Sequence, residues 1–153
     1  MIPADELLPA LPECTIETIR IVNTDINGAF DIWTDPDKLQ RWWGPNGFTN
    51  TFAEFDLRPE GKWTFTMHGP NGQNYVNECV FIDVKKPVFI AWHHHSAPYF
   101  QGVAMFETAP EGKTKIMYRM VFKSSELCAQ LRNFIVAKNE ENMDRLEAVL
   151  SGS

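Results

Sequence analysis

Between Phe48 and Lys123 the chain alternates apolar and polar residues with a period of two, and turn signals interrupt the pattern at regular intervals. Successive side chains of a strand point to opposite faces, so this alternation demands strands with one buried and one solvated face. Pro59-Glu60-Gly61, Gly69-Pro70-Asn71-Gly72, Lys85-Lys86-Pro87, Ser96-Ala97-Pro98 and Pro110-Glu111-Gly112 divide the segment into six strands. Connections this short favour an antiparallel meander. Another strand is expected from Thr15 to Asn23. Two short helices follow it: one over Ile26 to Trp33, and one begun by Asp35-Pro36 and stopped by Gly44-Pro45.

After Ser124 the period becomes helical. Leu131, Ile135, Asn139, Asn142, Leu146 and Leu150 advance by steps of three or four and form one stripe. A helix over roughly residues 125–150 would be nearly 40 Å long at ~1.5 Å per residue, enough to cross a small domain. A sheet covered on its apolar face by one such helix is an α+β solution. Residues 1–13, with Pro3, Pro9 and Pro12, read as an arm outside the core, which leaves 14–153 as one domain.

Charge and composition narrow the function. The net charge is −6, and no basic run exceeds Lys85-Lys86. A phosphate backbone or an anionic membrane needs a clustered positive footprint, so neither nucleic acid nor membrane is an expected partner. Cys14, Cys79 and Cys128 are odd in number and in no ligand spacing, which fits free thiols in a reducing cytoplasm. The acidic, proline-broken start reads as neither signal peptide nor anchor.

His93-His94-His95 invites a metal reading, but strand neighbours point to opposite faces, so only His93 and His95 could share an ion from one side. A solvated face with one inward histidine is the simpler expectation, and no metal or cofactor is assigned. Asp83 and His94 could form an acid–base pair only if the fold joins them. No catalytic residue is assigned.

Alternation places Trp63, Phe65 and Met67 on one face, with Val88, Ile90 and Trp92 sharing another. Phe100, Gly102, Ala104 and Phe106 form a third inward set, and Ile116, Tyr118, Met120 and Phe122 a fourth. The strand around residue 80 is ambiguous, because Val76, Val80 and Ile82 oppose Tyr75, Asn77, Cys79 and Phe81. These rings could pack a solid core or wall a cavity.

A resemblance bears on that choice. Trp42-Trp43-Gly44-Pro45-Asn46-Gly47-Phe48 is followed by Asp56-Leu57-Arg58-Pro59-Glu60-Gly61-Lys62-Trp63, and then by Met67-His68-Gly69-Pro70-Asn71-Gly72. With Phe81-Ile82-Asp83-Val84 and the ending Asn139 to Leu146, the chain resembles the activator-of-heat-shock-protein-90-ATPase-homologue-like family, within the START/Bet v 1-like (SRPBCC) superfamily. Glu60 departs from that pattern, which has glycine there.

The resemblance implies a helix-grip fold with a cavity between a concave sheet and the C-terminal helix, and it turns Tyr75, Asn77, Cys79 and Phe81 inward. Superfamily members bind apolar small molecules. The expected site residues are therefore Trp63, Phe65, Met67, Tyr75, Asn77, Phe81, Trp92, His94, Phe100, Phe106, Tyr118, Ile135, Asn139 and Asn142. They would wall a cavity in the ~300–1,000 Å³ range of ligand pockets. Asn139 and Asn142 either bond to the sheet or line a wet pocket. A protein-interaction module using the Trp42–Phe48 segment is the alternative, and an enzyme acting on an apolar substrate is the third reading.

Overall fold

The computed structural model describes residues 7–152, so the first part of the expected arm lies outside the described residues. Each helix starts where the sequence supplies a cap. Asp25 accepts from the Gly28 amide at 2.8 Å and opens α1 (Ile26–Thr34), and Asp35 accepts from Asp37 at 3.0 Å and opens α2 (Pro36–Trp42). Ser124 Oγ accepts from the Leu127 amide at 3.1 Å and opens α3 (Ser125–Leu150). Each cap satisfies an amide that the first turn leaves without a partner.

The strands are β1 (Thr15–Val22), β2 (Thr49–Phe55), β3 (Lys62–His68), β4 (Asn74–Lys85), β5 (Phe89–His94), β6 (Phe100–Ala109) and β7 (Lys113–Val121). They form one seven-stranded antiparallel sheet in the order β1-β7-β6-β5-β4-β3-β2. Only the β1–β7 pairing joins distant strands, and it brings the first strand beside the last. The two short helices carry the chain from β1 at one edge of the sheet to β2 at the other.

Alternation is borne out along most strands. Trp63, Phe65, Ile90, Trp92, Ala104, Phe106, Ile116, Tyr118 and Phe122 are all buried. Gly102 is required on this face, because a Cβ there would lie 2.2 Å from the Trp92 ring. The Glu60 departure also resolves. Glu60 adopts φ 68, the left-handed region that the glycine of the family pattern would occupy without strain. The turn keeps its shape with a side chain at that position.

Two expectations fail locally. Val88 precedes β5 in the turn and is 45% exposed, so it does not share the buried face of Ile90 and Trp92. In β4 the register shifts between Phe81 and Asp83, and this bulge buries Phe81 and Ile82 together.

The helix α3 closes the inner face with Ile135, Asn139, Asn142, Met143 and Leu146 buried. Arg20 of β1 pins its far half, reaching Glu140 at 2.7 Å and Asp144 at 2.9 Å.

Candidate functional site

The concave face of the sheet does not close completely on α3. A cavity of about 220 Å³ remains, smaller than expected from the sequence. Its floor is aromatic: Trp63 and Phe65 of β3, Trp92 of β5, Phe100 of β6 and Tyr118 of β7. Met67, Asn77 and His94 complete the sheet side. Ile135, Asn139 and Asn142 face them from α3.

Three expected residues lie elsewhere. Tyr75 sits near the β3–β4 hairpin tip, 43% exposed; its ring lies 6.1 Å from Phe48 and its hydroxyl donates to Gln73 at 2.8 Å. Phe81 is buried against Phe55 and Trp63, with centroids at 5.5 and 6.1 Å. Phe106 is buried against Phe30 and Trp33 beneath α1. Phe81 and Phe106 belong to the closed core, because neighbouring rings fill the space in front of them.

The walls also include Trp43, Gly44, Pro45, Cys79, Pro98, Met120 and Lys138, none of which was among the expected site residues. Cys79 and Met120 share the inward phase of their strands. Lys138 lies three residues beyond Ile135, so helical spacing could have found it. Trp43 to Pro45 read as the end of the second helix and as part of the alternative interaction segment, not as cavity wall. In the structure Trp42 and Trp43 are buried, so the tryptophans of this segment are not an exterior interaction surface.

The segment after α2 is held to α3 by side chains. Asn142 Oδ1 accepts from the Gly44 amide at 3.1 Å, and Glu141 accepts from the Asn46 amide at 3.0 Å. Arg145 donates to the carbonyls of Gly44 at 2.8 Å, Pro45 at 2.9 Å and Phe48 at 2.8 Å, with longer bonds to Trp43 and Arg41. Asn142 is therefore bonded to a loop that forms one cavity wall, rather than to the sheet. Asn139 has a weaker partner, since its amide nitrogen donates to the Met120 thioether at 3.5 Å. The Trp63 indole N–H is buried with no hydrogen-bond partner among the described residues.

His94 is the inward histidine. Its Nδ1 lies 2.9 Å from the Pro98 carbonyl, which can only accept, so Nδ1 carries the proton. Nε2 lies 2.7 Å from Asn77 Oδ1, an acceptor that it bonds only when the ring is doubly protonated, and the ring stacks on Phe100 at 4.6 Å. Asp83 is not part of this cluster, because it accepts from the Val84 amide and lies near Lys85. His93 and His95 lie together on the other face, 5.2 Å apart. Among the described residues no group of three ligating side chains could hold a metal ion. His94 and Phe100 also border an outer cleft of about 790 Å³ lined by Tyr99, Lys123 and Leu127. They stand between that cleft and the inner cavity.

Burial holds the His94 pKa below its ordinary 6.5, against the raising effect of the Pro98 and Ser96 backbone bonds. Below about pH 6.5 the unfolded chain then binds more protons than the folded one. The stabilisation is fully present above that pH and is lost as the pH falls through the folded value. Urea unfolding between about pH 7.5 and 5 should show this decline, and His94→Gln should flatten it. An identical slope in the variant would place the titrating group elsewhere.

A concave antiparallel sheet gripping a C-terminal helix over a small cavity is the helix-grip class of α+β proteins. The activator of Hsp90 ATPase homolog 1-like family matches residues 23–151, and the chain belongs to that family.

Solved structures agree in fold. A protein of Nitrosomonas europaea superposes with a TM-score of 0.84 at 18% identity, covering 92% of this chain and 96% of its own. One from Mycobacterium smegmatis gives 0.81 at 24% identity, covering 93% and 94%. One from Arthrobacter aurescens gives 0.83 at 23% identity, covering 93% and 88%. No curated protein matches the sequence.

Proposed function

We propose that this protein binds a small, largely apolar molecule in the cavity between the sheet and α3. The observation that carries the reading is a hollow of about 220 Å³, walled by Trp63, Phe65, Trp92, Phe100 and Tyr118, that opens from an otherwise filled core toward solvent. Interiors normally pack to crystal-like density, so an aromatic-walled hollow left open beside the core is suited to take a guest. Burying roughly 200 Å² of apolar ligand surface would contribute about 5 kcal/mol at ~25 cal/mol per Å². That gain alone corresponds to a dissociation constant of about 0.2 mM, and the lost translational and rotational freedom of the guest subtracts from it.

Three buried free cysteines support residence in a reducing compartment such as the cytoplasm. Among the described residues no helix is long and apolar enough to cross a membrane.

Naphthalene is a suitable first probe, followed through the indole N–H signals in a nitrogen–proton correlation spectrum. Binding should shift the signals of Trp63 and Trp92. Trp42 is the internal control, because its indole donates to the Ile32 carbonyl at 2.9 Å and its ring does not line the cavity. If all the indole signals stay in place at saturating naphthalene, the binding proposal fails.

A further inference from the structure

We infer that the occupant is an uncharged aromatic molecule of one or two rings bearing an acceptor oxygen, such as a ketone. This rests on the binding reading above and adds the ligand's size, charge and polarity.

Size comes first. An apolar cavity of roughly 150 Å³ accommodates benzene. A cavity of about 220 Å³ therefore holds one substituted ring or two fused rings within its walls, and a sterol or a long acyl chain would protrude from its mouth. The walls suit a flat guest. Trp63 stacks on Phe65 at 4.7 Å, and Trp92 on Tyr118 at 6.0 Å, so rings meet rings throughout the floor.

Charge comes next. Lys138 is the one formally charged side chain among the described walls, and Glu141 already lies 3.8 Å from it. Among the described residues no carboxylate lines the cavity to hold an amine, and its one cation, Lys138, is too exposed to hold a buried carboxylate. An ion buried without a partner is strongly disfavoured, so the ring system enters neutral.

Polarity follows from an unmet hydrogen bond. The Asn139 amide, buried on α3, donates only to a thioether sulfur, a weak acceptor. This underused donor on the cavity wall calls for an acceptor from the guest. A carbonyl oxygen on an aromatic ring supplies it without bringing a charge.

The test compares 2-acetylnaphthalene with 2-isopropenylnaphthalene, which has nearly the same shape but replaces C=O by C=CH₂. Calorimetric titration of the wild-type protein should give at least about tenfold tighter binding for the ketone, the scale expected when a buried donor gains its partner. Asn139→Leu should reduce the preference, while the wild-type comparison stands by itself should that variant fold poorly.

The anions 2-naphthoate and palmitate should each bind at least about tenfold more weakly than the ketone. Equal binding of ketone and hydrocarbon would overturn the polarity argument and leave the cavity reading intact. Tightest binding by naphthoate would overturn the assignment of charge, and tightest binding by palmitate the assignment of size. If neither naphthalene compound binds, the binding function itself is overturned.

Discussion

Replacing Phe106 with alanine is expected to lower the free energy of unfolding by about 3–5 kcal/mol, the range for removing a large ring from a closed core. Phe106 is 3% exposed, and its ring meets Phe30 edge-on at 5.4 Å and Trp33 at 6.0 Å. Its cross-strand neighbour on β7, Ile116, is fully buried. The lost ring would leave a hole roofed by α1, and that helix cannot follow it inward without dragging Trp33 away from Trp42 at 4.9 Å. Phe106 does not line the cavity, so naphthalene affinity should stay close to wild type. Urea denaturation measures the loss as a lower midpoint at unchanged slope. A loss below about 1 kcal/mol would mean that the site collapses freely and is not a closed core.

The contrast between Phe106 and Phe100 shows where sequence reasoning reaches its limit. Both occupy the inward phase of β6, and alternation alone treats them alike. Which of them borders a hollow depends on what lies across from it: α1 fills the space before Phe106, while Phe100 meets His94 and the cavity. The same logic explains Tyr75, which has the inward phase of β4 but lies near a hairpin tip packed on Phe48.

Phase is a local property, and the sequence carries it. The register shift at Phe81/Asp83 is a pairing property, and nothing in the residues of β4 alone announces it. The α3 stripe was readable because helical spacing puts Ile135, Asn139, Asn142 and Leu146 on one face. The partner of Asn142 was not, because it is a backbone amide at Gly44, 98 residues away in the chain.

Arg145 is the other long-range device that sequence pattern does not disclose, and Arg145→Met is expected to cost about 3 kcal/mol, with weaker naphthalene binding as a second effect. One guanidinium nitrogen serves the carbonyls of Gly44, Pro45 and Trp43, and the other serves Phe48 and Arg41. Hydrogen bonds to a charged donor are worth more than neutral ones, and the planar fork satisfies both clusters of carbonyls at once. Desolvation lowers the Arg145 pKa from its ordinary value, yet an arginine remains charged throughout the working pH range.

Methionine retains much of the apolar stem and removes every donor, so the loss reports the hydrogen bonds rather than the packing. Trp43, Gly44 and Pro45 wall the cavity, and without Arg145 the remaining hydrogen bonds from α3 to this segment among the described residues are Asn142 to Gly44 and Glu141 to Asn46. Affinity should therefore fall even though residue 145 itself does not line the hollow. Arg145→Lys should recover part of the stability, because an ammonium group is a compact charge that cannot span both carbonyl clusters. Denaturation of the three proteins side by side, with naphthalene titration of each, decides the matter. Stability of Arg145→Met within about 0.5 kcal/mol of wild type would show that water replaces the guanidinium without loss, and that α3 does not hold the loop.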